Sequence, residues 1–123
     1  MTKLRILVVD DDPTIGVLLA ELIEEMGHEV CGIEATELGA VSTALRVVPD
    51  LMIVDAKLGG GGSGVSAVES VLQTKSIPHV FMSGSRSALN KTDATVLMKP
   101  FLADELACAI ARAVPNQDID PIC

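Results

Sequence analysis

Leu51-Met52-Ile53-Val54-Asp55 is an unbroken apolar run closed by a carboxylate. Pro49 bounds it on one side and a glycine-rich loop on the other. Such a run reads as a strand buried on both faces. The strand leaves the core where Asp55 stands, so Asp55 sits at its carboxyl end. In open parallel sheets that edge is where ligands bind.

Working outward, short apolar runs alternate with helical patterns. Leu4 to Val9 is a first buried strand. Asp12-Pro13 then offers an N-cap and a proline at the first helical position. Ile15, Leu18, Leu19, Leu22, Ile23 and Met26 recur at helical spacing, and Gly27 ends that helix. Glu29 to Ile33 is a weaker edge strand carrying Gly32. Thr36 can cap a second helix whose apolar stripe is Leu38, Val41, Leu45 and Val48, and Pro49 stops it. After the central strand and the loop from Ala56 to Ser63, a third helix runs from Gly64 to Thr74. Val65, Val68, Val71 and Leu72 are its inward face. His79 to Met82 is a fourth strand, Ser83 to Asp93 a polar connection, and Thr95 to Met98 a fifth strand. Leu102 to Val114 is a last helix, and the tail from Pro115 to Cys123 is a flexible end.

Composition bounds the function. The chain has 123 residues, 49% hydrophobic and 21% charged, enough for one packed domain. A net charge of −8 argues against nucleic acid or an anionic membrane as partner, since both need a basic face. No span is long enough to cross a bilayer. The three cysteines, Cys31, Cys108 and Cys123, form no Cys-x-x-Cys pair and read as reduced thiols of a cytoplasmic protein. His28 and His79 have no partner ligand nearby in sequence and read as structural residues.

Strands alternating with helices make a parallel sheet with right-handed crossovers. The arrangement expected is a doubly wound, flavodoxin-like five-stranded α/β sheet in the order 2-1-3-4-5. Its switch point lies between the first and third strands. Those strands end in Asp10-Asp11 and in Asp55, so three carboxylates meet at one crevice. Two unit charges about 4 Å apart repel by roughly 4 kcal/mol at an effective dielectric near 20, so the cluster needs a cation. All-oxygen ligation suits Mg²⁺, which also accepts waters and a phosphate oxygen. Lys99, ending the fifth strand, adds an ammonium, and Ser83, ending the fourth, adds a hydroxyl. Together these fit a carboxylate nucleophile that accepts phosphate.

Ile6 to Pro13, Pro49 to Asp55, Val80 to Gly84 and Met98 to Phe101 together resemble the receiver domain of bacterial two-component response regulators. The resemblance spans residues 1–114 as a stand-alone receiver, with 115–123 as the flexible tail. It implies that Asp55 is the phosphoacceptor. Asp11 would ligate Mg²⁺ directly with Asp55, Asp10 would act through a metal-bound water, and Lys57 would lend its backbone carbonyl. Ser83 and Lys99 would bind the phosphoryl oxygens, and Lys99-Pro100 would be a cis peptide. The implied partners are a sensor histidine kinase or histidine phosphotransfer protein and a downstream protein. The chain itself would be a monomer or weak dimer. Its catalysis would be confined to its own phosphorylation and dephosphorylation.

Three departures stand out. Leu58-Gly59-Gly60-Gly61-Gly62-Ser63-Gly64 replaces the usual Met-Pro and reads as a tolerated surface insertion. Ser83 to Lys99 spans 99 − 83 = 16 positions, so the fourth helix is shortened. Val96 stands where an aromatic switching residue is usual. Output is therefore expected from ordering of Ser83–Asp93 and not from an aromatic flip. A rival reading takes Asp10-x-Asp12-x-Thr14 as the first motif of a haloacid-dehalogenase-type phosphatase, with Asp10 the nucleophile and Asp12 the acid/base. It lacks a later acidic pair at a strand end and leaves Asp55 idle. A pseudo-receiver is disfavoured by the complete set Asp10, Asp11, Asp55, Ser83 and Lys99.

Overall fold

The structure, a computed structural model, describes residues 3–84 and 95–114. Five strands pair in parallel in the order β2-β1-β3-β4-β5, as the alternation of elements predicts. They are β1 (Arg5–Val9), β2 (Glu29–Glu34), β3 (Leu51–Asp55), β4 (His79–Ser83) and β5 (Thr95–Met98). The described helices are α1 (Pro13–Glu25), α2 (Glu37–Val47), α3 (Gly64–Leu72) and α4 (Ala103–Ala113). The expected short fourth helix, the Ser83–Asp93 connection beyond Gly84, and the tail all lie outside the described residues.

Alternation along the central strands divides the core into two layers. Leu7, Val9, Met52, Val54 and Phe81 face α2 and α3, packing on Ala40, Ala44, Ala67, Val68 and Val71. Ile6, Val8, Leu51, Ile53, Val80 and Met82 face α1 and α4, packing on Leu19, Ile23, Leu106 and Ile110. Each side chain named in these two layers is almost fully buried. Full burial of such a side chain is worth about 1.5–3 kcal/mol, so continuous apolar strands are what this architecture requires.

The caps explain where the helices begin. Asp12 Oδ1 accepts the Thr14 N–H at 2.9 Å, with Pro13 opening α1. Thr36 Oγ1 accepts the Gly39 N–H at 3.0 Å to open α2. Ser63 Oγ accepts the Ser66 N–H at 3.1 Å to open α3. On α2, Val48 has a left-handed φ of 50° beside Pro49, which fixes the exit.

The buried faces of α1 and α2 differ from the expected stripes. On α2, Leu38 is 84% exposed and Val48 is exposed too, while Ala40, Thr43 and Ala44 face inward. Small residues let α2 come close to its neighbours, and the larger apolar ones are left at the margin. On α1, Leu18 is exposed, and Gly16, Leu19 and Ile23 are buried. On α3, Ala67 joins Val68 and Val71 inside, while Leu72 is exposed.

The histidines do what ordinary core-edge histidines do. His28 Nδ1 accepts the Leu4 N–H at 3.1 Å, and His79 stacks edge-on against Phe81 at 5.3 Å. Cys31 is a free, half-buried thiol, whereas Cys108 on α4 is disulfide-bonded. The expectation of a reduced thiol therefore fails at Cys108.

Candidate functional site at the carboxyl edge of the sheet

Register delivers the site. Val9 pairs with Val54, so the next residues, Asp10 and Asp55, emerge side by side at the edge. Asp55 pairs with Met82, and Ser83 with Met98, so Ser83 and then Lys99 follow along the same edge. The Lys99 N–H donates to the Ser83 carbonyl at 2.9 Å, and the Lys99-Pro100 peptide is cis. Strand pairing alone thus aligns four residues that are scattered in sequence.

Asp10, Asp11 and Asp55 each offer a carboxylate oxygen, and these oxygens lie within 4.8 Å of one another. The Asp10 side chain is fully buried, that of Asp55 is 14% exposed, and Asp11 faces solvent. Lys99 Nζ stands 3.1 Å from Asp10 Oδ2 and 3.1 Å from Asp55 Oδ2. Each acid has a further tether to the backbone. Asp10 Oδ1 accepts the Asp12 N–H at 2.9 Å, and Asp55 Oδ1 accepts the Lys57 N–H at 3.3 Å. Asp11 Oδ2 accepts the Gly59 N–H at 2.9 Å. Ser83 is buried at the end of β4.

Electrostatics follow from this packing. Burial pushes the Asp55 carboxyl above its ordinary range, against the pull of the Lys99 ammonium. For Lys99, burial favours the neutral amine, but its hydrogen bonds to Asp55 and Asp10 outweigh that and raise its pKa. Three carboxylates and one ammonium leave a deficit of two positive charges at a mouth open on the Asp11 side. A divalent, oxygen-loving cation that keeps part of its water shell matches that donor set and that charge.

Sequence reading missed two contributors. Gly64 opens α3 directly against the end of β3. A Cβ there would collide with the Asp55 carbonyl oxygen and lie 2.6 Å from Val54 Cγ1. The second is the glycine run. Gly60 and Gly61 have φ of 70° and 83°, values glycine adopts without strain. They let the chain turn so that Leu58 is buried and Gly59 reaches Asp11. The segment is thus tied to the acid cluster and is more than a tolerated surface insertion. Asp12, in contrast, caps α1 and stays out of the cluster. Of the pair a phosphatase of the haloacid-dehalogenase type would use, only Asp10 is in place. Val96 is half-buried and pairs with Phe81 across β4 and β5.

A five-stranded parallel α/β sheet with an acid cluster and a lysine at its switch point defines a phosphosignalling class of domain. Residues 6–111 match the response regulator receiver domain, and the chain belongs to that family. It is a domain of two-component signalling, where phosphorylation is general. It is 31% identical over 115 residues to the phyllosphere-induced regulator PhyR of Methylorubrum extorquens, covering 89% of this chain and 43% of that protein. Among solved structures, the receiver domain of Erythrobacter litoralis PhyR superposes with a TM-score of 0.86 at 27% identity. That match covers 98% of this chain and 96% of that one. The anti-anti-sigma factor PhyR of Bartonella quintana superposes with a TM-score of 0.83 at 27% identity, over 93% of this chain and 48% of that one. The chain spans about half the length of the curated relatives it matches. Among the described residues, no helix is long and apolar enough to cross a membrane.

Proposed function

We propose that this chain accepts a phosphoryl group on Asp55 from a phosphohistidine of a sensor kinase or phosphotransfer protein, and that the phosphorylated form changes its binding to a downstream protein. The observation that carries this is the position of the Asp55 carboxylate. It ends the central strand beside Asp10 and Asp11 and lies 3.1 Å from the Lys99 ammonium.

In the transfer, an Asp55 carboxylate oxygen forms the new bond to phosphorus as the bond to the histidine nitrogen breaks, and the imidazole departs with the electron pair. Lys99 is placed to hold one phosphoryl oxygen with a charge-assisted hydrogen bond, exchanging its contact with Asp55 for one with the phosphoryl group. The Ser83 hydroxyl would hold another. Asp11 and Asp55 would ligate Mg²⁺ directly, Asp10 would do so through water, and the Lys57 carbonyl would complete the set. Mg²⁺, when bound, supplies charge neutralisation on the phosphoryl oxygens during in-line transfer. Asp10 is buried and held in place by the Asp12 N–H and the Lys99 ammonium.

A protein as the downstream partner is supported by the net charge of −8, which disfavours nucleic acid, and by the likeness to an anti-anti-sigma factor. Intact-mass measurement after incubation with Mg²⁺ and a small phosphodonor, followed by mapping of the modified residue, tests the proposal. One phosphoryl group on Asp55, absent in Asp55→Asn, is expected. A phosphoryl group mapped to Asp10 overturns it.

A further inference from the structure

The segment between β3 and α3 has two fasteners that come from elsewhere in the chain. At one end the Gly59 N–H donates to Asp11 Oδ2 at 2.9 Å. At the other the Ser63 N–H donates to Glu37 Oε1, also at 2.9 Å, from the first turn of α2. Between them the segment closes on itself. The Leu58 N–H donates to the Gly62 carbonyl at 3.2 Å, and Lys57 and Ser63 form an antiparallel bridge. Ser63 also opens α3 through its hydroxyl, and the Gly64 N–H donates to the Ala56 carbonyl at 3.0 Å.

Four consecutive glycines have no side chains with which to define a conformation, and each residue fixed opposes roughly 1–2 kcal/mol of backbone entropy. The conformation that presents the Gly59 amide to Asp11 must therefore be held from outside the run. Glu37 is the side chain that does so at the far end. At the near end a Cβ on Gly59 would sit 2.6 Å from Asp11 Oδ2, so the exposed Asp11 carboxylate would have to shift.

We infer that Glu37 is a positioning residue for the metal site. By fastening Ser63 it fixes the glycine segment, the segment places the Gly59 amide on Asp11 and the Lys57 backbone beside Asp55, and the affinity for Mg²⁺ depends on that placement. This rests on the proposed use of the acid cluster as an Mg²⁺ site. Groups that orient metal ligands by hydrogen bonding commonly shift metal affinity when removed. Glu37 acts one step further away, through a backbone amide, so its deletion is worth the loss of one hydrogen bond to a charged acceptor.

Titration calorimetry with Mg²⁺ alone on the whole chain tests this. Each variant is first checked to be fully folded at the titration temperature without Mg²⁺. Glu37→Ala is expected to weaken Mg²⁺ binding about three- to tenfold. Glu37→Gln keeps an acceptor oxygen and is expected to stay within about twofold of wild type. Gly59→Ala, which pushes on Asp11 from the other end, is expected to weaken binding at least as much as Glu37→Ala. Equal weakening in Glu37→Gln and Glu37→Ala would show a simple charge effect at a distance and overturn the inference. So would an unchanged affinity in Glu37→Ala. If wild type itself binds no Mg²⁺, the inference falls together with the metal reading, whereas wild-type binding with an indifferent Glu37→Ala sinks the inference alone.

Discussion

The Lys99 ammonium lies 3.1 Å from Asp55 Oδ2, so the residue proposed to receive phosphate is already ion-paired. The same nitrogen holds the fully buried Asp10 side chain. Lys99→Met would leave two carboxylates without their counter-charge. The expected result is a fold less stable by about 1–3 kcal/mol in the absence of Mg²⁺. Mg²⁺ would then bind more tightly than in wild type, since it no longer competes with an ammonium, while phosphorylation of Asp55 would be nearly lost. Calorimetry and intact mass on the same preparation separate the two effects. Weaker Mg²⁺ binding in Lys99→Met would mean that the lysine helps to build the metal site.

Asp11 is the exposed member of the cluster, and it is the carboxylate proposed to meet Mg²⁺ from the solvent side. Mg²⁺ that binds the folded state alone stabilises it by about 2.7 kcal/mol at a hundredfold excess over its dissociation constant. The thermal midpoint should rise with Mg²⁺ in wild type and hardly at all in Asp11→Ala. With neither Trp nor Tyr in the chain, scanning calorimetry is the suitable measurement. Equal shifts in both proteins would remove Asp11 from the site.

His28 gives the fold a pH dependence independent of the acid cluster. It is 8% exposed, its Nδ1 accepts the Leu4 N–H, and burial holds its pKa below the usual 6.5. The folded pKa is depressed, so on acidification the unfolded chain takes up the proton first. The contribution is fully present above pH 6.5 and is lost as pH falls through the folded value. Urea unfolding at about pH 7.5 and about pH 5.5 should show a loss of stability that His28→Asn reduces, because Asn keeps an acceptor and does not titrate. The same loss in His28→Asn would assign the effect to another group.

The strands and the acid cluster were legible in the sequence because they rest on local signals. Apolar runs ending in Asp10 and Asp55, with parallel crossovers, fix which edge those residues share. Caps at Asp12 and Thr36 were legible for the same reason. The buried face of α2 was not, since Leu38 and Val48 outweigh Ala40 and Ala44 in hydrophobicity while the close approach favours small residues. The roles of Gly59 and Glu37 were hidden more deeply. Their contacts join positions 48 and 26 residues apart, and no periodicity records such pairs.

Gly64 is the sharpest steric constraint beside the site. In a helix, Ala is ordinarily preferred to Gly by up to about 1 kcal/mol, so propensity alone predicts that Gly64→Ala stabilises. At this position the added methyl meets the Asp55 carbonyl oxygen and Val54 Cγ1, backbone and packed core that have little freedom to give. Overpacking of that kind typically opposes folding by about 1–3 kcal/mol, which outweighs propensity. Gly64→Ala should therefore lower the unfolding midpoint and, by displacing the end of β3, slow phosphorylation of Asp55 as well. Gly62→Ala is the control. A Cβ there meets Leu58 Cβ at 3.5 Å and Glu37 Cβ at 3.7 Å, ordinary contacts, so its midpoint should stay near wild type. A Gly64→Ala protein as stable as the Gly62→Ala control would show that α3 can slide away from Asp55, and the close approach would then not be what requires glycine.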